Sequence, residues 1–213
     1  MSKTKNASFL LVGSDQPTTW YLCQFLNTLP DVQCRSEFLS EASKGNGVDV
    51  RSVSTAASNH SSKLVSGVCV SLDAFGHFKT TEGYNQNTSL VIVGRKPQDA
   101  YLADKGFLNG EGAPDEHRKK YFDITDYIHF EKDYIAHKNA LQRFCRKSGL
   151  NTLELFHYEL QREKAFKRIL KHIGAGIPNE PLSSVQDGMW GSPVYRELVA
   201  NYDEFTEFFD ARL

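Results

Sequence analysis

Four consecutive apolar residues, Phe9-Leu10-Leu11-Val12, end at Gly13. They give way to a polar stretch, Ser14-Asp15-Gln16-Pro17-Thr18-Thr19, that runs into Trp20 and a helical pattern. An apolar run without alternation is what a parallel strand buried on both faces requires. Pro17 suits a first helical turn, where its missing N–H has no partner to lose. Trp20, Leu22, Cys23, Phe25, Leu26 and Leu29 then fall mostly on one side of a helix. A strand–turn–helix junction of this kind leaves backbone N–H groups at the helix N-terminus, which is a ready anion site. Thr18 and Thr19 add hydroxyl donors. On local grounds the turn reads equally as an ordinary connection, because it lacks the Gly-x-x-x-x-Gly-Lys-Ser/Thr pattern of a phosphate loop.

The same grammar recurs along the chain. Leu64-Val65-Ser66-Gly67-Val68-Cys69-Val70 is a second strand, and Ser89-Leu90-Val91-Ile92-Val93-Gly94 a third and the clearest. Arg95-Lys96-Pro97-Gln98-Asp99 then turns into a helix. Phe130, Tyr134, His137, Leu141 and Phe144 recur at helical spacing, and Gly149 is placed as their C-cap. Thr152 to Phe156 is a fourth strand. Leu160 to Ile173 reads as a helix with Phe166, Ile169, Leu170 and Ile173 inward and Lys164, Lys167, Arg168 and Lys171 outward. Ser192 as N-cap and Pro193 at the first helical position open a last helix bearing Val194, Leu198, Tyr202, Phe205 and Phe209. Two stretches, about 43–63 and 104–120, are rich in Ser, Asn, Gly or charge and read as surface excursions, the first as a lid. Alternating strands and helices predict one α/β domain over 1–213: three layers, with a central parallel sheet of about four or five strands and helices on both faces.

Composition narrows the function classes. With 25 basic and 26 acidic side chains among 213 residues there is no global charge for nucleic acid or an anionic membrane. No apolar run reaches bilayer length, and the run after the basic N-terminus is too short for a secretory signal. Cys23, Cys34, Cys69 and Cys145 show no CxxC or Cys/His ligand spacing, so they read as buried thiols in a soluble, reducing, cytoplasmic protein.

Four stretches carry a further pattern. They are Ser8 to Trp20 with Leu26-Asn27-Thr28-Leu29-Pro30-Asp31-Val32 and Glu37-Phe38; Leu90-Val91-Ile92-Val93-Gly94-Arg95-Lys96-Pro97-Gln98-Asp99; Leu153-Glu154-Leu155-Phe156-His157-Tyr158-Glu159-Leu160, closed by Ile173-Gly174; and Gly188-Met189-Trp190. In order and spacing these resemble the sulfotransferase family, whose P-loop-like enzymes use 3′-phosphoadenylyl sulfate. The resemblance implies transfer of a sulfuryl group from that donor to a hydroxyl or amine of a small molecule or carbohydrate, with no metal. Ser14, Gln16, Pro17, Thr18 and Thr19 would hold the 5′-phosphosulfate. Arg95 would take the 3′-phosphate as a fork donor. Tyr158 matches a position that contacts the adenine, and Glu37 one that in some bacterial relatives is the general base. Positioning and charge stabilisation dominate such loose, in-line transfers.

The chain also departs from that pattern. The family loop reads Arg/Lys-Ser-Gly-Thr-Thr, whereas Asp15-Gln16-Pro17-Thr18-Thr19 has no cation and lacks the Gly. Loss of the cation costs a few kcal/mol of transition-state stabilisation, and Asp15 would repel an anionic donor. Lys44, Lys63 or Lys96 are the candidates to replace it. Ala103 stands where a serine is expected beside the 3′-phosphate, and the Asp of Tyr-Glu-Asp-Leu is missing after Glu159. The bland readings stay open: Arg95 as a salt-bridge partner, Glu37 as a solvated acid, Tyr158 as packing at a strand end. His60, His77, His129, His137 and His157 lie outside any motif, with His137 a core-edge residue. The rival to an enzyme is a binding or scaffold protein that kept the fold and shed the donor site. A P-loop kinase or nucleotide hydrolase is disfavoured by the absence of a loop lysine.

Overall fold

The computed structural model describes residues 7–35, 64–72, 75, 88–107, 119–178 and 195–212, with Gln16 described by its backbone. Its described strands form one five-stranded parallel sheet in the order β2-β3-β1-β4-β5. They are β1 (Ala7–Gly13), β2 (Val32–Arg35), β3 (Val65–Ser71), β4 (Thr88–Gly94) and β5 (Asn151–Phe156). β1 lies in the middle, in register with both neighbours: Leu11 faces Cys69 on one side and Val91 on the other. Side chains of a strand alternate between faces, so a central strand must be apolar throughout. Phe9 and Leu11 enter one core layer; Leu10 and Val12 enter the other.

The described helices cover both faces of the sheet, and α1 spans Gln16–Asn27. They are α1, α2 (Pro97–Asp104), α3 (Ile124–Ser148), α4 (Glu163–Ile173), α5 (Tyr195–Leu198) and α6 (Tyr202–Asp210). Leu22 and Leu26 of α1 and Phe166, Ile169 and Leu170 of α4 cover one face. Ala100 of α2 and Tyr134, Leu141 and Phe144 of α3 cover the other. The expected three-layer α/β architecture with helices on both faces is therefore present. A third apolar cluster joins Tyr101, Phe122 and Tyr127 to Leu198 and Phe205 of the two last helices.

Several elements differ from the sequence reading. Val32–Arg35 is a strand, too short for periodicity to mark. Leu160 lies in a 3₁₀ turn, His157–Gln161, and the helix proper starts at Glu163. The Glu159 carboxylate accepts the Phe156 N–H at 2.8 Å and closes that turn. Trp20 is not on the buried side of α1 but half exposed. The expected last helix is two helices. Between them the Lys120 N–H donates to the Leu198 carbonyl at 3.0 Å and the Ala200 N–H to the Lys120 carbonyl at 2.8 Å. The Asn201 carboxamide brackets Phe122, accepting from its N–H and donating to its carbonyl. Backbone pairing with the 120–122 segment wins over helix continuation there. Ser192, Pro193 and Val194, the stretch 43–63 that the sequence reads as an excursion, residues 108–118 of the second excursion and Gly188-Met189-Trp190 lie outside the described residues. Among the described residues no helix is long and apolar enough to cross a membrane.

Candidate functional site

Strand order reverses direction at β1: the chain first fills the β3 side, then crosses to β4. In open parallel sheets the crevice beyond the strand C-termini at such a point is where ligands bind. The loops after β1 and β4 flank it, and the Ser14 N–H donates to the Val93 carbonyl at 2.8 Å, tying them together. Gly13 is required here by space. A Cβ on it would lie 2.2 Å from the Thr19 hydroxyl oxygen, so only glycine lets α1 start this close to the strand.

The turn itself is saturated from within. Asp15 is the N-cap of α1, and its carboxylate Oδ1 accepts the Thr18 N–H at 2.8 Å. Its Oδ2 accepts the Ser14 hydroxyl at 2.8 Å and the Thr18 hydroxyl at 3.0 Å. Arg95 Nε stands 3.0 Å from the same oxygen, in an ion pair whose side chains are 3% and 1% exposed. The guanidinium also donates to Thr18 Oγ1 at 3.1 Å. Thr19 Oγ1 donates back to the Asp15 carbonyl at 2.7 Å. Tyr134 on α3 donates to the Arg95 carbonyl at 2.9 Å and holds the β4 loop from the other side. Burial pushes the Tyr134 phenol up to about 12. A carboxylate at a helix N-terminus, ringed by two hydroxyls, one N–H and one guanidinium, is the environment an external anion would seek.

Ser14, Thr18, Thr19 and Arg95 are thus brought together and buried, as a phosphate site would need, but around Asp15. Near the strand C-termini, Arg95 Nη1 and Ser71 Oγ are buried and have no hydrogen-bond partner among the described residues. Ser71 closes β3 opposite Gly13. Beside the loop lies a cavity of about 220 Å³, lined by Ser14, Asp15, Asp104, Asp133, Tyr134 and His137 among others. His137, expected at the core edge, is half buried and faces this cavity. Pro17 sits in the first turn of α1, as expected, and only the backbone of Gln16 is described.

Asp99, in the first turn of α2, accepts the Tyr195 hydroxyl at 2.5 Å and anchors α5. Tyr158 is half exposed, its ring stacked on Phe156 with centroids 5.5 Å apart and planes 9° from parallel. Lys96 is exposed and makes no capping bond. Glu37, Lys44, Lys63, His60 and His77 lie outside the described residues. The sequence reading foresaw Asp15 as a repulsive charge and missed that it satisfies the loop. A capping Asp three residues before Thr18 was the signal for that.

Cys23, Cys34 and Cys69 are buried thiols, as expected, but not scattered ones: their sulfurs lie within 4.8 Å of one another. Linear spacing could not reveal this, because β2, β3 and α1 each contribute one.

No family model matches the sequence, and no curated protein matches it. Among solved structures, mouse sulfotransferase SULT7A1 complexed with PAP resembles this chain with a TM-score of 0.54. The identity is 12%, over 97% of this chain and 82% of that one. A likeness at that identity shows a shared fold.

Proposed function

We propose that this chain is a binding or scaffold protein on a sulfotransferase-like fold, in which Asp15 stands in for the donor's phosphosulfate. The observation that carries this reading is the Asp15 carboxylate, which takes up the Thr18 N–H, the Ser14 and Thr18 hydroxyls and Arg95 Nε. The donor 3′-phosphoadenylyl sulfate does not fit the loop as it stands. Its anionic groups would meet a fixed carboxylate instead of the cation that offsets charge on a departing sulfate. Asp104 and Asp133 add negative charge to the adjoining cavity. A small ligand without net negative charge suits that cavity better than a polyanion.

Calorimetry with 3′-phosphoadenosine 5′-phosphate at millimolar concentration tests this. We expect no heat and no thermal shift with the wild type. Saturable binding that disappears in Arg95→Ala would sink the reading.

One observation favours a second reading. Arg95 Nη1 is buried without a partner among the described residues, a donor left over once Nε has been used. If Asp15 turned outward on binding, Arg95 could hold the 3′-phosphate, and the protein would be a sulfuryl transferase acting on a hydroxyl or amine of a small molecule or carbohydrate. Under that reading the nucleotide binds and Asp15→Ser binds it more tightly.

A further inference from the structure

We propose that Cys23, Cys34 and Cys69 form a binding site for a single trivalent thiophilic metalloid, of which arsenous acid is the soluble form. Cys34 on β2 and Cys69 on β3 point to the same face of the sheet, because Cys34 pairs with Gly67 and Cys69 lies two residues on. Cys23 reaches the same spot from α1. The three side chains are at most 4% exposed. Their sulfurs lie within 4.8 Å of each other, and the Cys34 and Cys69 sulfurs are 2.9 Å apart. Gly67 and Asn27 frame the site. Phe9 lies against Gly67, where a Cβ would sit 2.5 Å from its ring, and Asn27 clamps Cys34 by both backbone groups at 2.8 Å. The Asn27 amide also donates to Cys23 Sγ at 3.6 Å, so one side chain orients two of the three donors.

The donor set selects its ligand by number and charge. The Cys34 and Cys69 sulfurs, 2.9 Å apart, are close enough to be joined by an oxidant, so the site takes its ligand with all three thiols reduced. Closed zinc sites take four ligands, and among the described residues no fourth Cys, His, Asp or Glu joins these three. Three thiolates would also leave a net negative charge around zinc or monovalent copper, and a dry core penalises that charge. A trivalent centre with three thiolates is neutral. Three thiols and one As(OH)₃ give As(S-Cys)₃ and three waters: three As–O bonds break, three As–S bonds form, and each thiol proton leaves on a hydroxide. No electrons change hands. Entry is through β2, a four-residue strand at the edge of the sheet among the described residues, where opening breaks the fewest strand pairings.

The full-length folded protein, reduced with a phosphine, is incubated with arsenite and examined by native mass spectrometry and arsenic X-ray absorption. We expect one arsenic replacing three hydrogens, a first shell of three sulfurs, and a raised Tm. Cys34→Ala and Cys69→Ala should lose the adduct, and Cys145→Ala should keep it. No adduct on the folded chain, an arsenic shell of two sulfurs and an oxygen, or an adduct retained by Cys34→Ala overturns the proposal. So does displacement of arsenic by equimolar zinc. The absorption experiment uses the wild type alone, so it decides the matter even where a variant fails to fold.

Discussion

Replacing Asp15 by serine keeps a helix N-cap but leaves the Arg95 guanidinium buried without its carboxylate. Breaking a buried pair from one side costs about 3 kcal/mol or more, so urea unfolding of Asp15→Ser should show a loss of that order. Millimolar phosphate should then raise the Tm of the variant and leave the wild type unchanged, because in the wild type the Asp15 carboxylate already takes up the Thr18 N–H, the Ser14 and Thr18 hydroxyls and Arg95 Nε. Gly13→Ala is expected to cost roughly 1–3 kcal/mol by overpacking, since the new Cβ meets the Thr19 hydroxyl oxygen at 2.2 Å. In Gly13→Ala/Thr19→Ala the losses should be less than additive, because the second change removes the atom that clashes. Tyr134 gives a pH signature. Its folded value, about 12, lies above the ordinary phenol value of about 10. Its neutral form therefore favours the folded state below pH about 10, and that contribution fades as pH rises through about 12. Stability of Tyr134→Phe, followed by circular dichroism, should fall less steeply over that interval. At this scale the sequence named the residues that converge, Ser14, Thr18, Thr19 and Arg95, from one stretch and one strand end. It left open what they converge on, because a carboxylate can repel a ligand or replace it, and only side-chain direction decides between the two.

Where elements begin and end was legible wherever a residue has one conformational reason to be there. Gly149 and Gly174 stop α3 and α4 in the left-handed region, with φ of 63° and 77°. An L side chain in that region costs about 1–2 kcal/mol, so Gly149→Ala should lose about that much in a denaturant titration. Gly149 has open space around it, so the loss there is backbone strain and not collision. The start of α3 is capped by Asp123, whose carboxylate accepts the Asp126 N–H at 3.0 Å. Asp126 itself is held below the usual carboxylate range, first by its bond to Lys105 and also by that from Tyr101. A depressed acid contributes stability above its unfolded pKa and loses it as pH falls through the folded one. Asp126→Asn should therefore weaken the acid-side slope of the unfolding curve, though modestly for so exposed a pair. What could not be read was β2 and the break between α5 and α6. Four residues carry too little periodicity, and the break depends on Lys120 and Phe122, whose pairing with residues 198–201 is invisible along the chain.

At the scale of the molecule, alternation of strands and helices was sufficient to predict the layers, since an apolar strand needs cover on both sides. The order of the strands was not predictable in the same way, because crossover connections leave more than one neighbour possible for each. The third cluster shows how distant segments close one face: Phe122 packs edge-on against Phe205, centroids 4.9 Å apart, more than eighty residues along the chain. Phe205→Ala should cost about 3–5 kcal/mol, read from urea midpoints, and expose the aromatic surface of α2 and α3. The central place of β1 has a consequence for how the chain is made. It emerges from the ribosome before the other described strands, yet its two edges are satisfied by strands that begin only at Val65 and Thr88. Until both have been synthesised, its four apolar residues stay available to any other extended chain. A nascent chain that ends at Asn87 holds one partner and lacks the other, so it should pellet on centrifugation and be captured by chaperones in a coupled translation assay. The same chain continued past β4 should be released.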